Sequence, residues 1–168
     1  MKKLLTTLLI TTSLLFAYNI NAQEQAEVES FDVLDIGGSV THGEETLEGV
    51  IIELFEGNKV VDAITTKKNG KFKFTLMSGE IYTIGLKKKG YYTKKVSVNT
   101  RMPEGLDDSY KFMFDLSLDE KAEKELDRSL VEYPAVLVAY DKKKDEFTFD
   151  KAYTKSYFEQ IGVSAGKN

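Results

Sequence analysis

Residues 69 to 76 constrain the chain more than any other stretch. Asn69-Gly70, a pair that tolerates positive φ, precedes Lys71-Phe72-Lys73-Phe74-Thr75-Leu76, in which polar and apolar side chains strictly alternate. A period of two places Phe72, Phe74 and Leu76 on one face of a strand, whereas a helix would scatter them. With the strand-like run Lys59 to Thr66 before it, Asn69-Gly70 reads as the turn of a β-hairpin. The alternation returns between Tyr110 and Leu118, where Phe112, Phe114, Leu116 and Leu118 face in while Lys111, Asp115 and Ser117 face out.

Similar runs, separated by glycine-bearing turns, bring the expected strands to seven. Asp35 to Thr41 turns Ile36 and Val40 inward, and Glu48 to Phe55 places Val50, Ile52 and Leu54 on one face. Glu56-Gly57-Asn58 leads into Lys59 to Thr66, Ser78-Gly79 into Glu80 to Lys87, and Lys89-Gly90 into Tyr91 to Asn99. The rhythm then changes. Asp119 to Leu130 lacks Gly and Pro and spaces Ala122, Leu126 and Leu130 four apart, which predicts a short helix with Asp119 as N-cap. Two further strand-like runs, Ala135 to Tyr140 and Glu146 to Phe149, precede a second helix from Asp150 that carries Tyr153, Tyr157, Phe158 and Ile161. The expectation is a mostly β protein: a seven-stranded antiparallel sandwich over 33–118, with a small α/β extension over 119–162 packed on it and a frayed tail at 163–168.

The N-terminus has the layout of a secretory signal. Lys2 and Lys3 precede an apolar run from Leu4 to Phe16, and Tyr18-Asn19-Ile20-Asn21-Ala22 is more polar and ends in a small residue. Cleavage between Ala22 and Gln23 is expected, followed by a polar lead-in at 23–32. The run is shorter than the roughly 20 apolar residues of a spanning helix, and nothing after residue 22 is a membrane-segment candidate. The chain has no cysteine, so no disulfide can staple it and no thiol can carry the lipid of a bacterial lipoprotein. Stability must come from a core, for which the 146 residues after Ala22 suffice. Loss of Lys2 and Lys3 leaves 21 basic residues against 27 acidic ones, a net charge of −6 that argues against nucleic acid as a partner.

The stretch from Gly37 to about Thr100 resembles the carboxypeptidase regulatory-like domains of extracytoplasmic bacterial proteins. The likeness rests on Gly38-Ser39-Val40, Leu47-Glu48-Gly49-Val50-Ile51-Ile52-Glu53-Leu54, Thr65-Thr66, Asn69-Gly70-Lys71-Phe72, Tyr82 and Lys88-Lys89-Gly90-Tyr91. It covers somewhat under half of the chain after Ala22. The resemblance implies a transthyretin-like sandwich and a non-catalytic module, not peptidase activity. Tyr133 to Tyr157 is also similar to segments that follow such sandwiches in envelope proteins of bacteria with two membranes. Transthyretin-like hydrolases of purine breakdown use several histidines and a short C-terminal signature, and this sequence has neither.

Raw material for catalysis is scarce. His42 is the only histidine and reads as a solvated residue at a strand end, and no nucleophile-elbow motif accompanies it. No catalytic residue, cofactor or metal is expected. Asp107-Asp108 offers only a fragment of the six to eight oxygens that calcium takes. Asp141 and Asp145 flank a solvated turn, and the runs Lys87-Lys88-Lys89 and Lys142-Lys143-Lys144 read as charged hairpin tips. A lysine–asparagine cross-link involving Asn99 lacks a lysine clearly on the core face of the first strand. Tyr91, Tyr92, Tyr110, Tyr153 and Tyr157 are the candidate partner surface, since aromatics are enriched in binding hot spots. The expected role is therefore that of an exported structural or interaction module, periplasmic or else at the cell surface or secreted, whose partner is an envelope protein or glycan. The alternative is a small-ligand carrier or sensor with a pocket between the sandwich and the C-terminal extension.

Overall fold

The computed structural model describes residues 30–121 and 131–160. The expected signal, its cleavage point, most of the lead-in, the expected helix from residue 122 and the tail lie outside the described residues. The described elements are β1 (Asp32–His42), β2 (Glu45–Thr46), β3 (Ile51–Glu56), β4 (Lys59–Thr65), β5 (Lys71–Met77), β6 (Ile81–Lys87), β7 (Lys94–Asn99), β8 (Tyr110–Ser117), β9 (Val136–Asp141), β10 (Glu146–Phe149) and the helix α1 (Lys151–Gln160). They form a mostly β, two-sheet sandwich with one short C-terminal helix.

In the smaller sheet β1 is central. It pairs antiparallel with β5 and then β2 along one edge, and parallel with β8 along the other. The larger sheet runs β10-β9-β7-β6-β3-β4. The expected alternation sets the core. Phe72, Phe74 and Leu76 from one sheet meet residues such as Ile52, Ile84 and Val96 from the other, all buried. Each fully buried branched aliphatic contributes roughly 1.5–3 kcal/mol. Val33 and Leu34 are adjacent yet both buried, because pairing with β5 slips by one residue between Asp32 and Leu34.

Three expectations are corrected. Asn69-Gly70 is not a hairpin turn. β4 belongs to the larger sheet and β5 to the smaller, so the turn arches from one layer to the other. The buried Thr66 fixes the departure: its hydroxyl donates to the Leu47 carbonyl (2.7 Å) and accepts from the Val50 amide (2.9 Å). The Gly70 carbonyl accepts from the Val40 amide at 3.0 Å, which fixes the arrival. Secondly, the sheets are not wholly antiparallel, since β8 runs parallel to β1 and β9 parallel to β7. Thirdly, the two C-terminal strands do not pack on the sandwich as a separate layer. Val96 to Asn99 of β7 pair with Val136 to Ala139 of β9, so the larger sheet simply continues through them.

The Gly37-Gly38 pair lets β1 sit between two neighbours. A Cβ at Gly38 would stand 1.5 Å from the Phe114 carbonyl oxygen of β8, and one at Gly37 would stand 2.5 Å from the Phe72 carbonyl oxygen of β5. No side chain fits either gap, and both neighbours are backbone. Gly38→Ala is expected to destabilise the fold by roughly 3 kcal/mol or more, read by denaturant unfolding. Thr66→Val keeps the shape but removes both hydroxyl bonds; a loss of about 1–3 kcal/mol in the same assay is expected.

Candidate functional site

The concave feature richest in chemistry lies where β8 meets β7, β9 and α1. It is a cleft of about 320 Å³ whose apolar walls include Phe112, Phe114, Val136, Phe149 and Phe158. β8 supplies residues 112 and 114–117, and Thr154 and Phe158, four apart on α1, supply the helix part. Its polar lining residues are Lys94, Asp115, Ser117, Asp119 and Thr154. Asp115 and Ser117 are exposed residues in the outward phase of β8, which leaves Lys94, Asp119 and Thr154 among the apolar walls.

Lys94 is in phase with the core residues Val96 and Val98 on β7 and is itself only 5% exposed. An ammonium held there needs partners, because an unpaired buried charge is strongly unfavourable. Its Nζ donates to the Ser117 carbonyl, stands 3.0 Å from Asp119 Oδ2 and lies 5.4 Å from the centre of the Phe158 ring. The contact with Asp119 is an ion pair without hydrogen-bond alignment, so buried Oδ2 has no hydrogen-bond partner. Thr154 Oγ1 is equally buried and equally without one. None of these three residues figured among the expected site residues. One signal pointed to Lys94: it occupies an inward position in the Lys94, Val96, Val98 alternation.

The five tyrosines proposed as one surface fall in three places. Tyr91 meets the His42 ring edge-on at 5.5 Å, and the Tyr92 ring lies 5.8 Å from Lys121 Nζ. Tyr110 packs against Tyr140 and Phe147, far along β8 from that pair. Tyr153 donates its hydroxyl to the Pro134 carbonyl (2.7 Å), and Tyr157, 6% exposed, belongs to the core. Burial pushes the hydroxyl pKa of both helix tyrosines up. These two residues dock α1 and offer little to a partner.

His42 is half-buried rather than solvated. Its Nδ1 lies 3.0 Å from the Leu118 carbonyl, and since a carbonyl only accepts, that nitrogen carries the proton. The Asn99 side chain accepts from the Arg101 amide at 3.0 Å. The lysine runs stand at the end of β6 and in the β9–β10 turn. Among the described residues no group of three or more His, Cys, Asp or Glu could hold a metal ion, and no helix is long and apolar enough to cross a membrane.

Asp145, in the β9–β10 turn with φ 55°, forms a second polar cluster. Tyr140 and Tyr110 both donate to its Oδ1, at 2.6 and 2.8 Å. These bonds, Tyr140 first, hold the Asp145 carboxyl below the ordinary carboxylate range. The carboxylate in turn raises the Tyr140 hydroxyl, while Tyr110 is raised first by Tyr140 and then by Asp145. The result is a clasp that ties the β9–β10 turn to the start of β8.

No family model matches the chain, and no curated protein matches it. Solved structures similar to it include 3-chlorocatechol 1,2-dioxygenase from Rhodococcus opacus 1CP, at 13% identity and a TM-score of 0.41, with 56% of this chain and 62% of that one covered. The group B streptococcus pilus 2b backbone protein is similar at 18% identity and a TM-score of 0.36, covering 53% of this chain and 42% of that one. Klebsiella pneumoniae 5-hydroxyisourate hydrolase is similar at 11% identity and a TM-score of 0.35, covering 52% and 92%. The chain thus spans less than two thirds of the dioxygenase it matches.

The Asp145 clasp has a pH consequence. A carboxyl with a depressed folded-state pKa stabilises the fold above its unfolded pKa of about 3.9, and that contribution is lost as pH falls through the folded value. Melting temperatures followed downward from pH 5 are expected to fall less steeply in Asp145→Asn than in the parent. Asparagine tolerates the positive φ, so the backbone is unstrained.

Proposed function

We propose that the chain is an exported, non-catalytic β-sandwich module that binds another component of the cell envelope, a protein or a glycan. Export is supported by the three-zone layout of residues 1–22. The non-catalytic reading is supported by the scarcity of nucleophile–base pairs: cysteine is absent, and the one histidine is engaged with Leu118 and Tyr91.

One observation carries the interaction reading. β4 ends the larger sheet, and one of its long edges pairs with β3 while the other has no strand beside it among the described residues. Val60 and Val61, adjacent on it, are 45% and 42% exposed. Sheet edges are commonly blunted by charge, proline, a bulge or a covering element, and β4 carries one such device, a register slip against β3 at Val61. Here the charged residues of the strand are Lys59 and Asp62, and the Asp62 carboxylate bonds the neighbouring Ala63 amide at 2.7 Å. The main chain on either side of that slip has no other strand beside it among the described residues and suits strand addition, in which main-chain bonds supply affinity and side-chain contacts supply selectivity.

A second reading, a small-ligand carrier or sensor, is favoured by the cleft beside Lys94. It lies where the sandwich meets α1 and has apolar walls with a few polar groups, the general form of a ligand site.

The edge is tested by retention from an envelope extract on the immobilised protein lacking residues 1–22. The parent is expected to retain one defined protein or glycan, and Val60→Lys/Val61→Lys to retain it at least about tenfold less. Equal retention by the double variant moves the contact off β4. Retention of nothing by the parent, with and without crosslinking, overturns the interaction reading.

A further inference from the structure

We infer that the cleft beside Lys94 accepts a small neutral molecule with an apolar body and a hydroxyl group; this inference rests on the carrier reading. The walls fix the body. Phe112, Phe114, Phe149 and Phe158 present aromatic surface around about 320 Å³, at the small end of the roughly 300–1,000 Å³ typical of ligand pockets.

The polar lining fixes the rest. Lys94 and Asp119 form a neutral pair among the walls, and the one other charged lining residue, Asp115, is exposed and bonded to Ser39. An arriving carboxylate therefore meets the Asp119 charge and an arriving ammonium meets that of Lys94. Either ion would also be stripped of water in an apolar cleft, which is unfavourable without a dedicated counter-charge. A hydroxyl carries no charge and is donor and acceptor at once. It can donate to Asp119 Oδ2, which is buried and has no hydrogen-bond partner, and it can accept from the Thr154 hydroxyl, which is in the same condition. A plain hydrocarbon fills the space but leaves both atoms unsatisfied.

The chain has no tryptophan, so Phe158→Trp places a single indole emitter in the cleft wall. Titrations of that variant, lacking residues 1–22, use benzyl alcohol, toluene, benzoate and benzylamine. Saturable emission changes are expected with benzyl alcohol at least about fivefold tighter than with the other three. Adding Thr154→Val is expected to bring benzyl alcohol part of the way towards toluene, since the bond to Asp119 remains. If toluene binds as tightly as benzyl alcohol, the hydroxyl requirement is wrong while the carrier reading stands. A preference for benzoate or benzylamine overturns the neutral-ligand assignment in the same way. Should no compound bind up to millimolar concentration, the inference and the carrier reading fail together. Methyl NMR of Val136 in the unsubstituted protein, titrated with the same four compounds, separates the same outcomes without depending on the tryptophan.

Discussion

The smaller sheet is three strands wide at its middle, and it closes only because β1 has no side chains at residues 37 and 38. There the backbone of β1 approaches the carbonyls of Phe72 and Phe114 more closely than any Cβ allows. On the outer face above and below this gap, side chains bridge the strands. Asp35 pairs with Lys73 (2.7 Å) and accepts from Thr75 (2.8 Å), while the Ser39 hydroxyl donates to Asp115 at 2.6 Å. Lys73 is the first cause of the lowered Asp35 pKa. Inward, the same strands deliver Ile36, Phe74 and Leu116 to the core. With no disulfide available, the register of β5 and β8 on β1 determines what the larger sheet packs against.

Which residues face inward was legible in the sequence, because a period of two is a property of one strand alone. Phe72, Phe74 and Leu76 are inward as their alternation required, and so are Val50, Ile52 and Leu54. Which strand lies beside which was less legible, because neighbours are chosen by tertiary contacts. Asn69-Gly70 suits a tight turn whether the chain returns along the same sheet or crosses to the other. The crossing is decided by Thr66, whose buried hydroxyl holds the end of β4 against Leu47 and Val50. The parallel pairing of β9 with β7 joins residues some forty positions apart and leaves no local mark. For the site, the tyrosines are a weak signal, because Tyr153 and Tyr157 serve packing. Lys94 carried a better signal, a charge at a core phase, whose meaning depends on Asp119 and Ser117 lying across from it.

The two surfaces with binding potential differ in kind. β4 offers a line of main-chain groups flanked by valines, and it discriminates weakly between sequences that can extend. The cleft is small, with two buried hydrogen-bonding atoms beside a compensated charge pair, and as a ligand site it would select by shape and by charge. They occupy opposite regions of the larger sheet, β4 at one end and the β7–β9 junction toward the other.

The placement of β1 also governs how the protein carries mechanical load. A pull entering just before Asp32 acts on a strand bonded to neighbours along both sides, so many hydrogen bonds are strained at once in shear. A pull leaving through α1 acts on β10, which among the described residues is an outermost strand paired with β9 alone, whose hydrogen bonds can break in succession. The fold is thus mechanically polar: resistant where the chain enters it and yielding where the chain leaves.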